Sequence, residues 1–270
     1  MRILFCGDVV GRVGRDAVLR RVPRLREELA LDFVAVNGEN AAHGFGITPA
    51  MCREFYEAGV DAITTGNHVW DKRDIIAAID EDPRLLRPAN FPPGTPGRGH
   101  ALFGLPDGRR VLVVNVMARV FMDPLDCPFA AVDRALAEFP LGSAADAAIV
   151  DIHGEATSEK MAMGHFADGR ASLVVGTHSH VPTADAQILP GGTAYQSDAG
   201  MCGDYDSVIG MKKGPAVARF LRKMPGERME PAEGEATLCG VVVETDDATG
   251  LAARVAPIRL GGRLAPHWPC

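Results

Sequence analysis

The chain has 270 residues, 47% of them hydrophobic, with 28 basic against 35 acidic side chains and a formal charge of -7. That apolar share can bury a substantial core, read here as one domain over residues 1–270, and the acidic balance excludes a broad basic surface for duplex DNA or long RNA, leaving a small anionic substrate. Six cysteines (Cys6, Cys52, Cys127, Cys202, Cys239, Cys270) lie far apart with no C-x-x-C spacing, which excludes a zinc knuckle and a disulfide framework and suits reduced thiols in a cytoplasmic protein.

Residues 2–6 read as a buried strand, too short for a signal h-region, and no later stretch approaches a membrane span. A turn over Gly7–Gly14 leads into an arginine-rich amphipathic helix reaching about residue 30, which Pro23 is expected to kink or divide. Phe33–Val36 is a second strand, Thr48-Pro49 an N-cap and first helical residue for a helix ending near Gly59, and Asp61–Thr65 a third strand. A proline- and glycine-rich stretch follows, then a hairpin of 100–105 and 110–116 around Pro106-Asp107-Gly108. Helices at 128–139 and 157–167 alternate with strands at 147–152 and 172–176, and a final hairpin pairs 236–245 with 251–259.

Seven side chains of metal-ligand type stand just past the ends of these apolar runs: Asp8, Glu39, Asn40, Asn67, His153, His178 and His180. In an open α/β sheet the strand ends converge on one crevice, so residues distant in sequence can meet around a common ligand. Glu39 can bridge two cations through its two oxygens, and Asn40 and Asn67 offer neutral amide oxygens. His178 and His180, at i and i+2, share a face if the strand stays extended. Imidazole, amide and carboxylate without thiolate suit two divalent ions of iron or manganese, or of zinc.

The blocks Gly7-Asp8-Val9-Val10-Gly11, Asn37-Gly38-Glu39-Asn40-Ala41, Thr65-Gly66-Asn67-His68-Val69-Trp70-Asp71, Gly154–Lys160 and Gly176-Thr177-His178-Ser179-His180 resemble the calcineurin-like metallophosphoesterase superfamily, and more narrowly its YmdB-type branch, similar to bacterial 2′,3′-cyclic-nucleotide 2′-phosphodiesterases. The resemblance implies an α/β fold, a four-layer αββα sandwich of two mixed sheets flanked by helices. It implies one metal held by Asp8, Glu39, Asn40 and His180 and another by Glu39, Asn67, His153 and His178. Two departures from the superfamily pattern stand out: Asp8-Val9-Val10 lacks the histidine of D-x-H, and Gly38-Glu39-Asn40 replaces G-D-x-x-D or E. The branch resemblance implies that Asn40 supplies the ligand of the missing histidine and that Glu39 takes the bridging role.

The expected activity is hydrolysis of a cyclic nucleotide, 2′,3′-cyclic or 3′,5′-cyclic, by a metal-bridging hydroxide, with His68 as the general acid. Asp71 either orients His68 or caps a helix over 72–79. His43, Glu155 and Thr157 are candidate substrate contacts, although Thr157 also fits an ordinary helix start. The loop 197–210 is either another wall of the pocket or a surface turn. The rivals are a phosphomonoesterase (nucleotidase or phosphoprotein phosphatase) on the same metals, and a non-catalytic nucleotide-binding regulatory protein cradling phosphate at the Gly7–Gly14 turn. That turn lacks the G-x-G-x-x-G spacing, and the second rival leaves the histidines unexplained. A nucleotide is the partner expected; a homo-oligomer is compatible with the sequence.

Overall fold

In the computed structural model, residues 1–224 and 226–269 are described. The opening apolar run is β1 (Arg2–Cys6), followed by the short β2 (Asp8–Val9) and α1 (Gly11–Glu28). α1 passes through Pro23 as one element, so the helix is not divided. Val18, Val22 and Leu25 remain buried on both sides of the proline, and that packing outweighs the one backbone hydrogen bond a proline removes. Next come β3 (Phe33–Asn37), α2 (Pro49–Glu57), β4 (Ala62–Thr64) and α3 (Arg73–Ala78). Thr48 caps α2 as its sequence suggests, Oγ1 accepting the Met51 N–H at 3.4 Å.

The second half opens with the antiparallel hairpin of β5 (His100–Gly104) and β6 (Arg110–Met117). α4 (Pro128–Glu138), β7 (Ala147–His153), α5 (Thr157–Ala167) and β8 (Leu173–Thr177) then alternate. The segment before the last hairpin holds elements that sequence patterning misses: β9 (Gln187–Ile188), β10 (Ala194–Gln196), β11 (Met201–Asp204) and α6 (Lys213–Arg222). β12 (Ala236–Thr245) and β13 (Ala252–Leu260) close the chain.

One sheet has the order β2-β11-β12-β1-β3-β4, with β13 on β12, and the other β5-β6-β7-β8-β10-β9. β1 pairs parallel with β3 and antiparallel with β12, while β6, β7, β8 and β10 run parallel and β5 antiparallel, so both sheets are mixed. The two-residue period of each strand builds the layers. Ile3, Phe5, Phe33 and Ala35 meet Val111, Val113, Ile149 and Val175 between the sheets. Leu4, Cys6, Val34 and Val36 face α1 and α2 through Val18, Val22 and Phe55. Val114, Val150 and Val174 face α4 and α5 through Val132 and Met163. The result is the four-layer αββα sandwich, and the carboxyl ends of β1, β3, β4, β7 and β8 open along one edge.

No helix among the described residues is long and apolar enough to cross a membrane. Cys6, Cys52, Cys127, Cys202 and Cys239 are free thiols, and Cys270 lies outside the described residues.

Candidate metal centre

All seven candidate ligands meet at that edge through direct contacts. Asp8 is fully buried beyond β1; its Oδ2 accepts the His178 N–H at 3.0 Å. Its Oδ1 lies 3.8 Å from His153 Nδ1 and 3.9 Å from His180 Nε2, and accepts no hydrogen bond among the described residues. Glu39, after β3, is also fully buried: Oε1 is 3.1 Å from His153 Nε2, and Oε2 accepts the His68 N–H at 3.1 Å. Asn40 Nδ2 lies 3.2 Å from both Glu39 Oε1 and His180 Nε2. Ligation through the Asn40 oxygen would therefore need the amide turned over. Asn67 Oδ1 is 2.9 Å from His153 Nε2, and His178 Nδ1 is 3.1 Å from the same nitrogen.

His178 and His180 reach the cluster differently from the expected extended H-x-H. β8 ends at Thr177, and both histidines have left-handed backbones, φ 96° and 63°. Such conformations are costly for non-glycine residues and persist where the surroundings enforce them. Asp198 is part of that enforcement: its Oδ2 accepts the Ser179 N–H at 3.0 Å and the Lys160 Nζ at 2.9 Å in a buried ion pair. The loop 197–210 is consequently a wall of the site. Ile209 O accepts His180 Nδ1 at 2.8 Å, and Tyr205 Oη donates to His180 O at 3.0 Å. Donation from Nδ1 leaves His180 Nε2 with its lone pair free.

Beneath the cluster lies a polar network that sequence reading missed. His153 Nδ1 donates to Thr177 Oγ1 at 2.9 Å, and that hydroxyl donates to Asp151 Oδ1 at 2.7 Å. Thr64 Oγ1 and Asn37 Nδ2 donate to Asp151 Oδ2 at 2.6 and 3.2 Å. The available signal was polar residues inside otherwise apolar buried strands, which need partners of their own. Burial raises Asp151 to about 6. Gly66 is required by space: a Cβ there would collide with the His153 ring and the Glu39 carboxylate.

The charged groups of the cluster act strongly on one another. Burial raises the Asp8 carboxyl above its ordinary value, with the His180 and His153 charges opposing. Burial also works against Glu39 and His153, yet their mutual attraction wins, holding the carboxyl at about 2 and lifting the imidazole to about 9. Burial, then the His153 charge, drives His178 down to about 3. A buried carboxylate oxygen among imidazoles fits a cation: among the described residues Asp8 Oδ1 lacks the partner that buried polar atoms almost always have. Glu39, His153 and His178 have donor atoms within 4.8 Å of one another.

His68 stands at the rim, its Nδ1 donating to Asp71 Oδ2 at 2.9 Å and its ring edge-on to Phe45 at 5.0 Å. The cap of α3 is Lys72, with no side-chain cap bond, so Asp71 orients His68 and does not cap the helix. Of the three substrate candidates, Glu155 lies 3.5 Å from His178 Nε2. His43 is exposed on a left-handed loop, φ 58°, and Thr157 is exposed as the first residue of α5, after the cap residue Ala156.

The family model for YmdB-like proteins matches residues 4–258. A Bacillus subtilis (strain 168) protein named 2′,3′-cyclic-nucleotide 2′-phosphodiesterase is 48% identical over 258 residues, covering 96% of each chain. A crystal structure of a hypothetical protein from Thermus thermophilus superposes with a TM-score of 0.90 at 44% identity, covering 97% of this chain and 100% of that one. A Mycoplasma pneumoniae structure, titled a novel phosphatase, gives 0.88 at 32% identity over 97% and 93% of the two chains. With a family match across most of its length and relatives this similar, the chain belongs to the YmdB-like protein family.

Proposed function

We propose that this chain is a metal-dependent phosphodiesterase that opens 2′,3′-cyclic nucleotides to the 3′-phosphate. The observation that carries the reading is the contact chain joining Asp8, Glu39, Asn40, Asn67, His153, His178 and His180 around an unpartnered carboxylate oxygen. The name of the 48% identical relative supports the substrate class. Asp8, Glu39, Asn40 and His180 would hold one divalent ion and Glu39, Asn67, His153 and His178 the other. The donor set suits iron or manganese, with zinc also compatible. Bound there, such ions acidify water and neutralise phosphoryl oxygen charge.

The chain's own residues supply the rest. Thr177 and Ile209 accept the Nδ1 protons of His153 and His180, fixing both rings with Nε2 toward the cluster. Water, releasing one proton to solvent, forms the new bond to phosphorus as the P–O2′ bond breaks, and His68 gives the departing O2′ its proton from Nε2. Asp71 holds Nδ1 and stabilises the cationic ring.

The test is turnover of 2′,3′-cyclic nucleotides, 3′,5′-cyclic nucleotides, nucleoside monophosphates and phosphopeptides with manganese or iron supplied. The reading expects the 2′,3′-cyclic diester to be favoured, with the 3′-phosphate as product. Turnover of monoesters alone would replace it with a phosphomonoesterase, and tight binding without turnover with a regulatory protein.

A further inference from the structure

Beside the metal cluster lies a cavity of about 430 Å³, whose lining includes Arg12, His43, Lys72, Lys212 and Arg228. Its walls are continuous with the site. The Asn40 carbonyl accepts the N–H of Gly44, next to His43, at 3.1 Å and that of Gly11, next to Arg12, at 2.9 Å. Lys72 follows Asp71, the partner of His68. Pro231 packs on Gly11 and Gly44.

The charge here runs against the rest of the molecule. Two acids, Glu230 and Glu233, also line the cavity, and Glu230 Oε2 pairs with Lys212 Nζ at 2.7 Å. Arg12 lies 3.7 Å from Asp16, while Lys72 and Arg228 have no carboxylate at salt-bridge distance among the described residues. A cationic excess in a chain of charge -7, opening beside a phosphate-ester site, favours a second phosphate.

We propose that this cavity binds the 5′-phosphate of the cyclic nucleotide. The inference rests on the reading of the neighbouring cluster as a 2′,3′-cyclic phosphodiesterase site. In that substrate the ester occupies O2′ and O3′, so O5′ is the ribose oxygen left to carry another phosphate. The phosphate is either a terminal monoester or the internucleotide link of a short oligoribonucleotide ending in the cyclic ester. Both present an anion to the same guanidinium and ammonium groups.

The experiment compares kcat/KM for adenosine 2′,3′-cyclic phosphate, its 5′-phosphate, and a diadenosine ending in the cyclic ester, in the parent and in Arg12→Gln/Arg228→Gln. The subsite predicts a preference of about tenfold for a 5′-phosphorylated substrate, falling towards one in the double variant and at high salt. Preference for the dinucleotide assigns the internucleotide phosphate; preference for the monoester alone assigns the terminal one. Equal rates for all three in the parent, or an equal loss on all three in the variant, overturn the proposal. Calorimetry of 5′-AMP against adenosine on metal-free protein decides the subsite without turnover. AMP binding about tenfold weaker in the double variant supports it, and unchanged AMP affinity overturns it. Failure on every cyclic substrate would sink the phosphodiesterase reading and leave the calorimetric result to stand by itself.

Discussion

Replacing Thr177 with valine removes one hydroxyl from the network beneath the cluster and little volume. In the folded chain that oxygen accepts from His153 Nδ1 at 2.9 Å and donates to Asp151 Oδ1 at 2.7 Å, all fully buried. The methyl group leaves a buried N–H and a carboxylate oxygen each short of a partner, at about 1–3 kcal/mol apiece, so Thr177→Val should destabilise by about 3 kcal/mol. For 270 residues the unfolding entropy is roughly 0.6 kcal/mol/K, which turns that loss into a Tm drop of about 5 °C. His153 also loses the bond that fixes its ring, so metal affinity should fall about 10- to 100-fold. Calorimetric melting of metal-free protein and a chelator competition read the two effects separately. A Tm within a degree of the parent with unaltered metal affinity would refute the network's role.

Four further substitutions probe the site. His68→Ala should keep its metal and lose about 10²- to 10⁴-fold in kcat on the cyclic diester, and Asp71→Asn, which weakens a half-exposed bond, about tenfold; metal analysis beside kinetics checks both. Asp8→Asn removes a buried charge whose Oδ1 has no hydrogen-bond partner among the described residues, so the metal-free variant should be more stable than the parent by about 1 kcal/mol while metal uptake collapses; a lower metal-free Tm would contradict this. Gly66→Ala drives a methyl into His153 and Glu39, costing about 1–3 kcal/mol and displacing both side chains, which loss of metal binding on titration would register.

The strands that carry the candidate ligands were legible because their apolar runs are continuous and end in glycine-flanked polar residues. β1, β3, β4, β7 and β8 fall where the pattern puts them, and the residues that follow converge as strand ends in a layered sheet do. The expectation for His178 and His180 failed in its reasoning although the pair reaches the site: both sit in left-handed loop backbone, which no periodicity announces. β9, β10 and β11 are too short for a repeat to register, and their place depends on partners far along the chain, β11 lying between β2 and β12. α6 was overlooked although Ala216, Val217, Phe220 and Leu221 recur at helical spacing; of these the fold buries Ala216 and leaves the other three exposed. The polar network under His153 depends on contacts among β3, β4, β7 and β8, so its members looked like isolated polar residues until the sheets were assembled.

The central claim, that these seven side chains grip two divalent ions side by side, is tested most directly by anomalous diffraction from crystals grown with manganese or iron. The account predicts two metal peaks inside the cluster, sharing Glu39. A single peak at saturating metal, or peaks elsewhere in the molecule, would contradict it.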